Sequence, residues 1–113
     1  IDPAIRSLVQ RLERAGSEAI YLSGDITNDR ETAQIFDTVR SRFGAIHGAI
    51  YSAIVLQDGS LARLTQAEFR VAFDVKAAGT RALDRATRQD RLDFLVFFSS
   101  LNSFAGNAGQ GNK

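Results

Sequence analysis

Leu92-Asp93-Phe94-Leu95-Val96-Phe97-Phe98-Ser99-Ser100 is the stretch on which the fold turns. From Leu92 to Phe98 it is almost continuously apolar, the mark of a strand buried on both faces, and two serines end it at once. Strands of that kind belong to parallel sheets covered by helices, so the residues upstream must supply both helices and further strands.

Working back, Thr65-Gln66-Ala67-Glu68 forms a capping box, in which Thr65 bonds forward and Glu68 back. The helix behind it extends to about Gln89. Before it come a loop from Gln57 to Leu64 and a second apolar run, Ile46 to Val55, read as a buried strand. Asn28 or Asp29 opens another helix, with Ile35, Phe36, Val39 and Phe43 on one face and Gly44 at its end. Ala19-Ile20-Tyr21-Leu22, closed by Ser23-Gly24, reads as a short strand. The first helix starts at Asp2-Pro3, carries Ile5, Leu8, Val9 and Leu12 at helical spacing, and stops at Gly16. Helix and strand therefore alternate three times. Such an order predicts right-handed crossovers and a parallel sheet, a nucleotide-binding type of α/β domain.

The bulk numbers set limits on function. The 113 residues suffice for one domain at most, and 44% hydrophobic with 24% charged side chains is ordinary globular composition. Fourteen basic residues against thirteen acidic leave no basic stripe, which argues against nucleic acid as a partner. There is no cysteine, and the single histidine, His47, cannot build a zinc site; it is expected to be structural. No apolar run reaches the roughly 18 residues of a membrane span, and the first residues do not resemble a signal peptide, so the cytoplasm is the expected compartment. The chain opens on a helix with no strand before it and stops just after its most apolar strand. Residues 1–113 are thus expected to be a piece of a larger domain. Helices mainly on one side of three strands would leave apolar surface exposed and make the piece marginal alone.

In open α/β sheets ligands bind beyond the carboxyl ends of the strands. Those ends present Gly24-Asp25-Ile26-Thr27, Tyr51-Ser52-Ala53-Ile54 and Ser99-Ser100, expected on one rim. Lys76 falls near the centre of a stripe formed by Phe69, Ala72, Phe73, Thr80 and Leu83. An ammonium there either reaches a polar cleft or snorkels out, and periodicity does not choose between the two. By themselves Ser99 and Ser100 suit backbone groups at a strand end sooner than a ligand, and Asp25 suits a turn or cap sooner than a ligand contact. Gly106, Gly109 and Gly111 do not match the G-x-G-x-x-G dinucleotide fingerprint and are not read as a phosphate loop. The tail from Asn102 to Lys113 shows no periodicity.

Taken together, Gly24-Asp25-Ile26-Thr27-Asn28, Ile50 to Leu61, Lys76-Ala77-Ala78-Gly79, Asp93 to Ser100 and Gly106-Asn107-Ala108-Gly109-Gln110 resemble a ketoreductase domain of a modular polyketide synthase. The resemblance runs through essentially the whole chain but covers about the middle half of such a catalytic domain. It implies an incomplete Rossmann-like sheet of the short-chain dehydrogenase/reductase type, without the first strand and glycine-rich turn. In that family a catalytic lysine stands 24 positions before a serine, which Lys76 and Ser100 match, and a tyrosine stands 13 after it. Position 113 holds Lys113 instead. The activity implied is NADPH-dependent reduction of a β-ketoacyl thioester carried on an acyl carrier protein, beside neighbouring polyketide synthase domains. Ser100 would then hydrogen-bond the carbonyl oxygen, and Lys76 would lower the acid's pKa and touch the cofactor ribose. Asp25 and Ile26 would flank the adenine, and Ser52 and Ala53 would line the cofactor.

In Leu56-Gln57-Asp58, Asp58 stands where one stereochemical class carries the last aspartate of an L-D-D motif. The chain also lacks tryptophan, the marker of the opposite class. Ile54 departs from the glycine usual after His-Ala-Ala. Three functions follow: part of an active ketoreductase, a reduction-silent domain kept for its shape, or a non-catalytic nucleotide-binding module. The last leaves the 24-residue spacing unexplained.

Overall fold

The computed structural model describes residues 1–54 and 63–100. Each helix begins and ends on a local signal. The carboxylate of Asp2 accepts the Ala4 amide at 2.7 Å to cap α1 (Pro3–Arg14). Beyond its last turn the Gly16 amide donates to the Glu13 carbonyl and the Ser17 amide to that of Leu12. This is the paired C-terminal motif that needs a left-handed residue, here Gly16 at φ 89°. Asn28 accepts the Arg30 and Glu31 amides at the start of α2 (Asp29–Phe43), which Gly44 closes at φ 86°. The expected capping box opens α3 (Gln66–Thr87): the Glu68 amide donates to Thr65 Oγ1 at 3.2 Å, and the Thr65 amide to Glu68 Oε2 at 2.9 Å.

The sheet has two strands among the described residues, β1 (Gly48–Tyr51) and β2 (Phe94–Phe97). They are parallel, with Gly48 opposite Phe94 and Tyr51 opposite Phe97. Additional bonds extend the ladder: the Asp93 amide to the His47 carbonyl at 2.6 Å, and the Phe98 amide to the Tyr51 carbonyl at 2.9 Å. The single connection between them contains α3, the expected β–α–β unit.

Two expectations need correction. Ala19–Leu22 is not a strand, because a strand is defined by its ladder and neither β1 nor β2 pairs with it. Nor is β2 buried on both faces. Tyr51, 4% exposed, points toward α3 with Leu95 and Phe97 on the same face, yet Phe97 is itself 41% exposed; on the other face Ile50, Phe94 and Val96 are 61%, 51% and 41% exposed. No described element covers that second face. Gly48 lies beneath the Phe94 ring, which occupies the space a side chain would need.

The buried line of α3 also differs from the expected stripe. Ala72, Gly79, Ala82, Leu83 and Thr87 are inside, while Phe69 and Phe73 stack on each other in exposed positions, ring centres 6.0 Å apart. Small residues let α3 come close to its neighbours, while Phe69 and Phe73, 43% and 53% exposed, stay outside that contact.

A long-range ion pair fastens α2 to the end of α3. Arg40 Nε and Nη2 form a fork on the Asp90 carboxylate at 3.0 and 2.6 Å, Nη2 also reaches the Ala86 carbonyl, and Nη1 meets Asp37 at 2.9 Å. The Asp90 side chain is 11% exposed, so losing its partner is costly. Arg40→Ala in the full-length domain is expected to lower unfolding free energy by about 2 kcal/mol, read by denaturant titration. The Arg40 guanidinium holds the Asp90 carboxyl below its ordinary range. The stabilisation is therefore present at neutral pH and lost as pH falls through that lowered folded-state value.

Candidate active site

The carboxyl ends of β1 and β2 lie side by side because the strands are parallel and in register, so Ser52-Ala53-Ile54 and Ser99-Ser100 leave the sheet together. Ser52 and Ser99 are exposed; Ala53 and Ser100 are half-buried. Onto this edge comes Lys76, whose Nζ donates to the Phe98 carbonyl at 3.3 Å. The ammonium lies against the end of β2, two residues before Ser100, in an exposed hydrogen bond that fits either reading of Lys76. Lys76 as a whole is half-buried.

Tyr51 anchors this arrangement from beneath. It is 4% exposed, and its hydroxyl donates to the Val75 carbonyl of α3. Its ring fills the gap above Gly79, where a Cβ would stand 2.9 Å from Tyr51 Cζ. Burial pushes the phenol's pKa up, keeping it a neutral donor. This contact links residues 24 apart with no local motif, which is why sequence reasoning did not single out Tyr51.

Gly24-Asp25-Ile26 is organised differently. Asp25 Oδ1 accepts from the Thr27 amide at 2.9 Å and from the Thr27 hydroxyl at 2.7 Å, and these bonds hold the carboxyl below its ordinary range. The Asp25 amide donates to Glu31 Oε2 at 2.8 Å, and Thr32, fully buried, donates its hydroxyl to the Ile26 carbonyl at 3.3 Å. The segment is thus tied to the first turn of α2. Asp25 is exposed and Ile26 half-buried. A cleft of about 300 Å³ next to it is lined by Leu22, Ser23, Glu31, Gln34, Ile35 and Thr38.

A second cleft, about 450 Å³, runs between α2 and α3 away from Lys76. Its three arginines are engaged, Arg40 with Asp90, Arg85 with Asp29 and Arg88 with Asp84, so it reads as a seam of the scaffold. His47 offers its carbonyl to the ladder and its side chain is exposed. Asp58, Lys113 and the glycines at 106, 109 and 111 lie outside the described residues. No described helix is long and apolar enough to cross a membrane.

Known proteins match this arrangement along its whole length. The chain is 37% identical over 111 residues to the polyketide synthase PksN of Bacillus subtilis, covering 98% of the chain and 2% of that protein. The crystal structure of an N-terminal ketoreductase from the macrolactin assembly line superposes with a TM-score of 0.94 at 31% identity, over 99% of this chain and 23% of that one. A short-chain dehydrogenase from Mycobacterium avium, 24% identical, shares the fold with a TM-score of 0.82 over 96% of this chain and 41% of its own. The chain therefore spans about a quarter of the ketoreductase structure and a small fraction of the curated relative. A family model described as KR domain matches residues 1–113. With its Rossmann-like parallel pair, its crossover helix and this match from first residue to last, the chain belongs to the KR domain family of polyketide synthase ketoreductases.

Proposed function

We propose that residues 1–113 are the middle portion of the catalytic part of a β-ketoacyl reductase domain, which reduces a β-keto thioester on an acyl carrier protein to the β-hydroxy form. The observation that carries this reading is Lys76, whose ammonium meets the carboxyl end of β2 next to Ser100, within a chain matched throughout by the KR model.

The residues suit a nicotinamide dinucleotide. An exposed carboxylate at Asp25 beside the half-buried apolar Ile26 matches an adenine with its exocyclic amine, and a primary amine at Lys76 matches ribose hydroxyls. NADPH, when bound, supplies the hydride. Ser100 donates a hydrogen bond to the substrate carbonyl oxygen, on which negative charge grows as its carbon is reduced. Lys76 places positive charge near the general acid and so lowers its pKa. Ser52 and Ala53 line the cofactor, and Asp58 orients the substrate. The general acid's position falls on Lys113, a cation before it donates, where the family has a neutral phenol. Neighbouring polyketide synthase domains are the partners, and the cytoplasm is the compartment.

Lys113 favours one second reading, a domain that keeps the fold and binds cofactor without reducing. Both are tested on the full-length domain, by its melting temperature with and without NADPH and by oxidation of NADPH with a β-ketoacyl thioester. Stabilisation with turnover is expected. Stabilisation without turnover selects the silent domain, and a domain neither stabilised by NADPH nor able to oxidise it overturns both.

A further inference from the structure

Four contacts close a ring around Lys76. The Tyr51 hydroxyl donates to the carbonyl of Val75, the residue before Lys76, and the Tyr51 ring rests on Gly79, three residues after it. The Tyr51 carbonyl accepts the Phe98 amide at 2.9 Å, and the Phe98 carbonyl accepts Lys76 Nζ at 3.3 Å. One tyrosine thus fixes the backbone from which Lys76 departs and also the strand end on which its ammonium lands. The buried positions of α3 within one turn of Lys76, Ala72 and Gly79, are small, and the larger Leu83 and Thr87 lie further along the helix. Close to Lys76 there is thus little bulk to stop the helix sliding or turning. A single hydroxyl on a helical carbonyl, with the ring wedged over a glycine, supplies that stop.

We propose that Tyr51 is a positioning residue: it sets the height and rotation of α3 on β1 so that the Lys76 ammonium reaches the cofactor edge. The proposal rests on the reading of Lys76 given above. It predicts a coupling that plain core packing does not produce, since the hydroxyl should matter to the cofactor only while Lys76 is present.

The experiment is a double-mutant cycle in the full-length domain, read by calorimetric titration of NADPH, with melting curves to verify folding. Tyr51→Phe keeps the ring and removes one oxygen. It is expected to weaken NADPH binding about three- to tenfold, the range of one neutral hydrogen bond. Lys76→Ala should weaken binding at least as much, and adding Tyr51→Phe to it should change affinity no further. Gly79→Ala disturbs the same contact from the helix side and should copy Tyr51→Phe. If Tyr51→Phe leaves affinity unchanged, or its effect persists undiminished without Lys76, Tyr51 is packing alone and the proposal is wrong. If Lys76→Ala itself has no effect on affinity, the cofactor reading of Lys76 fails, and this inference fails with it.

Discussion

Replacing Lys113 by tyrosine in the full-length domain is expected to raise the rate of β-keto thioester reduction by about 10²–10⁴-fold, the usual contribution of a positioned general acid. The intrinsic pKa values of lysine and tyrosine differ little, about 10.4 against about 10. Charge separates them. A tyrosine is neutral before it donates, so a nearby lysine stabilises its phenolate and makes it a better acid. An ammonium at 113 is already positive, and in the family's arrangement it faces a second ammonium, that of Lys76. Like charges at that range repel, so a second ammonium there would oppose Lys76 rather than be helped by it. The measurement is kcat with saturating NADPH for the two forms. Equal rates would show that position 113 is not the acid and would remove the main support for a silent domain.

Within the tyrosine-restored form, Ser100→Ala is expected to reduce kcat by about 10²-fold, comparable to losing one oxyanion donor. Ser100 leaves β2 just beyond the carbonyl that holds Lys76, so the two groups reach the site from one strand end. Their effects should nevertheless divide. Removing a hydroxyl that meets the substrate oxygen only as charge develops lowers kcat and leaves NADPH affinity unchanged. The loss of Lys76 should lower both. A Ser100→Ala variant with full kcat, or one that loses NADPH binding in proportion, would remove Ser100 from the substrate carbonyl.

The parts of the fold legible from sequence are those set within a few residues. Asp2, Asn28 and the Thr65–Glu68 pair cap helices where the residues said they would, because a side chain and the amides it satisfies are neighbours in the chain. Gly16 and Gly44 stop helices for an equally local reason. What depended on distant partners was harder to read. Ala19–Leu22 has strand-like composition, yet a strand exists only beside another strand. Hydrophobicity places Ala72 and Leu83 of the α3 stripe correctly but also favours Phe69 and Phe73, whereas close helix packing selects the small residues Gly79 and Ala82. Arg40 and Asp90 stand 50 positions apart and carry no motif. In the candidate site the ends of β1 and β2 were readable from the rule for open sheets, and Lys76 stood out through the lysine–serine spacing of the family it resembles. Tyr51 was not, since its partner is a backbone carbonyl that any residue at 75 would provide.

The parallel pairing of β1 with β2 also sets a clock. Gly48 must wait for Phe94, 46 residues later (94 − 48 = 46). At cellular translation speeds that wait is about 2–9 s. In that interval β1 presents a bare edge, and α3 is synthesised before the second strand it bridges to. The ribosome's pace from residue 52 to 93 therefore sets how long this edge of β1 waits for its partner, and codon choice along that stretch becomes a handle on the yield of folded domain.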